Sequence, residues 1–287
     1  MTKRPYLHAL LYGDTGVGKT TFASTFPKPM LVFQFDHNGK DMPYMKGGEV
    51  QKGEDGNELQ SYEIETGRGD ITITHRDVMY PDGIVRIEYY NRTDDIDNPT
   101  AFSYFRTRMG ILHEEYDLWK TVVVDSITFM ALQARKLEEK VLNPLPQGVT
   151  LYTKGGGGDQ RMWFAGATSS LEELLCMRLA GLDMNVVAIA HVSRDKNMLS
   201  GEIVQVPSAP GRLSSMSLLS AAFAEQYRLY TKRNAEGYRE YWAQTSNRDQ
   251  YAAATQIEAD DPVYPHYASL WTGWDKMYGK KGDKKDG

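Results

Sequence analysis

The sequence predicts an α/β fold: a mostly parallel sheet flanked by helices, with antiparallel closing strands and an inserted β-hairpin region. Three observations carry that expectation. A glycine-rich loop, "GDTGVGKT", stands between an apolar strand and a helix. Three short apolar runs, "MLVFQFD", "VVVD" and "MNVVAIAH", are separated by helical patterns, as parallel strands buried on both faces require. Between the first two runs, residues 39–91 alternate polar with apolar, the period of half-exposed antiparallel strands.

Taken in order, "YLHALLYG" reads as a short buried strand and "KTTFASTF" as the start of a helix. Pro27 and Pro29 end that helix, because proline lacks the amide its hydrogen-bond ladder needs. "MLVFQFD" (30–36) is the next central strand. Residues 39–91 follow as an antiparallel hairpin or small sheet, "LQSYEIET", "DITITHRDV" and "IVRIEYY" between turns such as "EDGN", "GRGD" and "PDG". Residues 99–118 read as a helix with Phe102, Phe105, Met109 and Leu112 on one stripe. "WKTVVVDSITFM" is a second buried strand ending at Asp125, and "ALQARKLEEKVL" continues as a helix. A Gly/Pro-rich loop, "NPLPQGVTLYTKGGGGDQ", precedes a long helix over 161–181. A third apolar strand spans 184–193. A short hairpin, "RDKNMLSGEIVQVP", a loop, "SAPGRLSSMS", and a closing antiparallel pair around "NAEG" complete the pattern. The expected organisation is one domain over 1–275, carrying the 39–91 insertion, and a disordered basic tail over 276–287.

Composition narrows the function. The chain has 287 residues, 41% apolar and 25% charged, near globular averages and long enough for a substantial core. No apolar run has transmembrane length, and "MTKRPYLHALLYG" reads as a strand entering the loop rather than a signal peptide. A cytoplasmic protein with no membrane partner is expected. The single cysteine, Cys176, excludes an internal disulfide and a Cys-rich metal site; within "LEELLCMRLAGL" it reads as a small buried apolar residue. The six histidines show no metal-ligand spacing, and no G-x-S-x-G elbow occurs. Net charge is −5, but residues 276–287 hold five Lys and two Asp, so that end carries +3 against −8 for the remainder. A uniformly basic nucleic-acid binder is excluded; contact with a polyanion must use a local patch or loops. Trp271 and Trp274 read as pins holding the end of the chain onto the core.

Gly13, four residues, then Gly18-Lys19-Thr20 fits G-x-x-x-x-G-K-[ST] in full. The candidate phosphate site is therefore Gly13, Asp14, Thr15, Gly16, Val17, Gly18, Lys19, Thr20 and Thr21. Glycines let backbone N–H groups turn inward around phosphates, and Lys19 supplies a point charge to the β/γ-phosphates. The Thr20 hydroxyl suits Mg²⁺, and the helix start adds its dipole. Such a site needs a carboxylate near the metal. Asp125 lies at the carboxyl end of a buried strand, where α/β sheets place their ligands, and is the natural Mg²⁺ partner. The expected cofactors are ATP and Mg²⁺.

With "VVVDSIT" and these motifs in that order, the chain resembles the RecA-like P-loop ATPases, closest to phage Sak-type RecA-like single-strand annealing proteins. The likeness covers 6–36 and 119–255. It implies a sensor of the γ-phosphate at His191, and loops at 143–160 and 193–212 that face single-stranded DNA. Those loops bring Lys154, Arg161, Arg194, Lys196 and Arg212, with Tyr152 and Trp163 for stacking. It also implies a cation at Arg248 reaching a neighbour's nucleotide, hence a head-to-tail homo-oligomer. A single-strand-binding protein is a further implied partner, and the bacterial host cytoplasm the location if the chain is phage-encoded. The glutamate that such ATPases place near the attacking water is missing: "FQFDHNGKD" offers Asp36 instead. Two alternatives stay open, slow hydrolysis or a base within the insertion, where Glu63, Glu65 and Glu88 lie. An alternative function is a regulatory or assembly P-loop ATPase acting on a protein partner, suggested by the acidic body and the tyrosine-rich insertion. A small-molecule kinase would want an Arg-rich lid over the phosphates, which the sequence does not offer.

Overall fold

The apolar runs become the centre of one sheet, and their order positions everything else. The computed structural model describes residues 6–36, 41–66, 70–90, 98–144, 160–196, 203–208, 222–246, 253–257 and 260–278. In chain order the elements begin with β1 (His8–Tyr12), α1 (Lys19–Ala23), β2 (Met30–Gln34) and α2 (Met42–Met45). The insertion continues with β3 (Glu49–Val50), β4 (Gln60–Ile64), β5 (Ile71–Tyr80) and β6 (Gly83–Tyr89). Next come α3 (Ala101–Ile111), β7 (Thr121–Asp125), α4 (Ile127–Leu137), α5 (Gln160–Glu172) and β8 (Asn185–Ala190). The chain closes with β9 (Val192–Lys196), β10 (Ile203–Pro207), β11 (Glu225–Arg233), β12 (Arg239–Gln244) and α6 (Tyr267–Tyr278).

A 10-stranded sheet runs β12-β11-β1-β8-β7-β2-β6-β5-β3, with β4 paired to β5. From β11 to β6 every pairing in that order is parallel; β12 at one end and β5 at the other turn antiparallel. Side chains alternate between two apolar layers. On β7, Val122 and Val124 enter the layer under α3, α4 and α5, while Val123 enters the layer under α1 and α6. Alternate burial on both faces is why these runs carry no polar stripe.

Several readings differ from the sequence expectation. The insertion is no separate small sheet: β6 pairs in parallel with β2, Met30 opposite Val85 and Gln34 opposite Tyr89, because the outer backbone edge of β2 needs partners once buried. The helix read over 99–118 is α3 followed by a 3₁₀ turn, Leu112–Glu115. The helix read over 161–181 is α5 widening into a π-helical stretch, Glu173–Leu179, and α4 ends likewise at Glu138–Leu142. The strand read over 184–193 breaks at His191, where β8 stops and β9 starts a two-stranded sheet with β10.

At the far end, α6 runs through Tyr278, so residues 276–278 are helical rather than part of a tail; residues 279–287 lie outside the described residues. Tyr267 and Trp271 stack at 5.5 Å, and Tyr267 meets Phe26 at 4.9 Å, pinning α6 beside α1 as Trp271 was expected to do. No described helix is long and apolar enough to cross a membrane.

Candidate nucleotide and metal site

Because the order is β1-β8-β7-β2, the carboxyl ends of these four strands form a row. The glycine-rich loop follows β1, His191 follows β8, Asp125 ends β7 and Asp36 lies just past β2. The row is the crevice in which open α/β sheets bind ligands.

The loop is shaped by close approach. A Cβ on Gly13 would stand 2.4 Å from the Leu229 carbonyl of β11, so no side chain fits there. Gly18 has φ 88° and packs under the ring of Tyr241. The Lys19 amine is buried and donates to the carbonyls of Gly13 (2.8 Å) and Asp14 (2.7 Å), which holds it along the loop. Asp14, Thr15 and Gly16 are exposed on the loop, Val17 is buried beneath it, and Thr21 is exposed at the cavity rim. The regular helix behind the loop spans only five residues, so its dipole is weaker than a long helix would supply and the loop amides matter more.

Thr20 Oγ1 donates to Asp125 Oδ2 at 3.0 Å, joining the two motifs that lie 105 residues apart. The Asp125 carboxyl is pushed up to about 6, first by burial away from water and further by the charge of Asp36; hydrogen bonds from Thr20 and Tyr44 and the charge of Lys19 oppose the rise. Tyr44 of α2 donates to the same Oδ2 at 3.1 Å. Burial and the neighbouring carboxylate push the Tyr44 phenol well above its ordinary range, so it remains a donor.

The Asp125 carbonyl accepts the amides of Phe35 (2.6 Å) and Asp36 (3.2 Å), which sets Asp36 beside it. His191 Nε2 is buried, has no hydrogen-bond partner, and stands 3.5 Å from Asp36 Oδ2. The backbone of His191 is tied on both sides. Its N–H donates to Thr128 Oγ1 (3.0 Å), and Thr128 Oγ1 donates to the Ser208 carbonyl (2.7 Å). The Ser208 amide returns to the His191 carbonyl (2.6 Å). The hairpin β9–β10 is thereby closed onto the start of α4.

These groups surround a cavity of about 470 Å³, lined by Thr15, Gly16, Gly18, Lys19, Thr20 and Thr21, by Asp36, Asp125 and His191, and by Pro43, Tyr241, Tyr264 and Pro265. The size suits a nucleotide. The last four residues were not legible as site residues; they come from the insertion, the closing strand and the segment before α6. Tyr241 and Tyr264 offer flat aromatic surface next to the phosphate loop. The oxygen donors Thr20 and Asp125 suit a hard ion such as Mg²⁺. Among the described residues no group of three or more His, Cys, Asp and Glu could hold a metal, so an ion here would complete its shell with water and phosphate oxygen.

Other expected residues fall elsewhere. Arg161 is exposed on the first turn of α5, Arg194 is exposed on β9, and Lys196 ends β9. Lys154, Arg212, Arg248 and Tyr152 lie outside the described residues. Trp163 is no stacking platform: the helical phase of α5 turns it inward, where it is buried and donates to the Asn143 carbonyl at 2.9 Å. Glu63 and Glu65 are exposed on and just after β4, and Glu88 is consumed in a buried network; none of the three lines the cavity. Cys176 is half-buried against the core.

Comparison with known families gives one result. A protein-family model described as an AAA domain matches residues 6–254. No curated protein matches the chain.

Proposed function

The chain belongs to the AAA domain family, an ATPase-type nucleotide-binding domain, and on that premise we propose an ATP-hydrolysing recombination protein of the RecA-like, Sak type. It binds single-stranded DNA, assembles head to tail, and promotes annealing or strand pairing. One observation carries this reading: a hairpin bearing the exposed Arg194 springs directly from His191 and is fastened to it through Thr128 and Ser208. A change at the nucleotide cavity that moves His191 must move the base of that hairpin. Differential contact of this kind is what lets a nucleotide shift a binding equilibrium.

Within the cavity, the loop amides and Lys19 bind the phosphates. Thr20 and Asp125 hold Mg²⁺, which neutralises phosphate charge when bound. Asp36, held beside Asp125 and facing His191, orients the attacking water, and no insertion glutamate competes for that position. Arg248 from a neighbouring subunit supplies the remaining positive charge. A second reading, an ATPase acting on a protein partner, draws on Val141, Leu142 and Met162, which expose apolar surface on either side of the 145–159 segment.

Fluorescence anisotropy of a labelled oligonucleotide tests the DNA reading. Binding is expected with ATP and Mg²⁺, and Lys19→Ala should lose the nucleotide-dependent part. An oligonucleotide that stays free in both conditions removes the DNA claim and leaves an ATPase. Nuclease-resistant capture of a protein by the folded chain would then favour the second reading.

A further inference from the structure

Segment 39–91 has no role in the proposal above, yet it lends Pro43 to the cavity wall and the Tyr44 hydroxyl to Asp125. We propose that it completes the metal site, with Tyr44 as a positioning residue for Asp125. The inference rests on the nucleotide reading and deepens it.

Tyr44 is 1% exposed, and its hydroxyl shares Asp125 Oδ2 with Thr20. Two donors on one carboxylate oxygen fix the rotamer of the group and the direction of its second oxygen. Hydrogen bonds to an ionised acceptor are the strong ones, and outer-shell partners of this kind orient a metal's carboxylate. Thr20 cannot do both jobs at full strength, since its hydroxyl is itself a candidate metal ligand. Tyr44 carries no such second duty.

The rest of the insertion behaves as a bracket for this one side chain. Helix α2 has four residues, too few to hold a shape alone. Asp41, at its start, accepts Tyr89 (2.6 Å) from β6 and Arg76 (3.1 Å) from β5. Arg76 also meets Met45 Sδ at 3.1 Å. Tyr80 of β5 donates to the carbonyls of Tyr44 (2.6 Å) and Lys46 (3.2 Å). Gly48 lets the chain lie flat on β5, because a Cβ there would stand 2.5 Å from Val78. With β6 paired to β2, this bracket is part of the same sheet that carries Asp36 and Asp125. A plain packing role would need only the ring. The hydroxyl therefore separates the two explanations, and phenylalanine removes it alone.

The test uses the full chain and a fluorescent ATP analogue, with Mg²⁺ titrated at fixed nucleotide and a parallel measurement in EDTA. Tyr44→Phe is expected to raise the Mg²⁺ concentration at half-maximal effect by about tenfold or more, while binding in EDTA holds and the chain, melting somewhat lower for the lost hydrogen bond, stays folded. Tyr80→Phe, which loosens α2 from outside the cavity, should shift the same midpoint less and covers the case of a Tyr44 variant that does not fold. Coincident Mg²⁺ curves for wild type and both folded variants would overturn the proposal and leave Tyr44 as packing. A wild-type chain that binds the analogue without regard to Mg²⁺ overturns the metal site and this proposal together. A wild-type chain that binds no analogue at all overturns the nucleotide reading beneath them.

Discussion

Asp125 holds its charge where charge is least welcome. It is 1% exposed, and its carboxyl titrates near 6 rather than 3.8, chiefly through desolvation. The sign of the consequence follows from proton counts. Between those two values the folded, metal-free chain keeps a proton that the unfolded chain has lost, so stability falls as pH rises through that window and stays low above about 6. The full effect is about 3 kcal/mol. Asp125→Asn keeps both acceptor bonds from Thr20 and Tyr44 and removes the charge. It should melt higher than wild type at pH 8, with the difference vanishing near pH 3.5, and should lose Mg²⁺-dependent nucleotide binding at pH 8. A variant equal to wild type in melting temperature at pH 8 would show that the carboxylate is not strained by burial. Stability given up at a functional position is a common exchange. This residue was legible because its chemistry is local: an aspartate at the tip of an apolar strand, downstream of a complete phosphate loop, has few other uses. Tyr44 was not legible, because its meaning depends on a fold-back across 81 residues. Trp163 was misread for a related reason: an aromatic beside a glycine-rich loop invites a stacking role, and only the phase of α5 shows that it points inward.

At the scale of elements, the insertion is fastened to the core by a buried polar knot. Glu88 on β6 is 0% exposed and accepts Tyr62 (2.7 Å), Tyr90 (2.9 Å) and Arg108 of α3 (3.1 Å). Arg108 continues to Glu115 at 2.8 Å, and Trp119 donates to the same Glu115 oxygen at 2.7 Å. The knot ties β6, α3 and the approach to β7 into one unit, behind the face that carries the nucleotide cavity. Arg108→Met fills similar volume but strands the Glu88 carboxylate without its countercharge. Removing one partner of a buried pair costs about 3–5 kcal/mol, and that loss is expected here in urea denaturation. A loss under about 1 kcal/mol would mean the tyrosine hydroxyls satisfy Glu88 unaided. Alternation of polar and apolar residues was enough to read β4, β5 and β6 as strands, and the stripe of Phe102, Phe105 and Met109 enough to read α3. Neither signal names a partner. Parallel pairing of β6 to β2 is decided by the edge that β2 leaves open and by Glu88 finding Arg108, both of which are tertiary facts. The same holds for the break at His191, where an uninterrupted apolar run conceals a change of sheet.

Across the whole molecule, strand order turns scattered motifs into one site. The phosphate loop and Asp125 belong to strands separated by β8, and that interposed strand is what sets His191 between them. Alternating strands and helices announce a wound sheet, but the order within it is written in no single segment. Charge acts on the same scale. A body near −8 repels a nucleic-acid strand everywhere except where cations are gathered, so the DNA proposal confines contact to the segments holding Lys154, Arg161, Arg194, Lys196 and Arg212. The consequence is quantitative. Each phosphate neutralised on a single strand contributes about −0.7 to the slope of log affinity against log salt, so five cations allow a slope no steeper than about −3.5 per subunit. Arg194→Ala, exposed at the base of the hairpin, should flatten that slope by about 0.7 while leaving ATP binding intact. Anisotropy titrations across a salt series measure both quantities. A slope near zero would make the contact non-electrostatic, against the reading of these segments as DNA-facing. A slope near −7 would require cations beyond the two segments and would bring the five lysines of residues 276–287 into the contact. An unchanged slope in the Arg194 variant would separate the hairpin from DNA and with it remove the link by which the nucleotide cavity, through His191 and Thr128, could act on a bound strand.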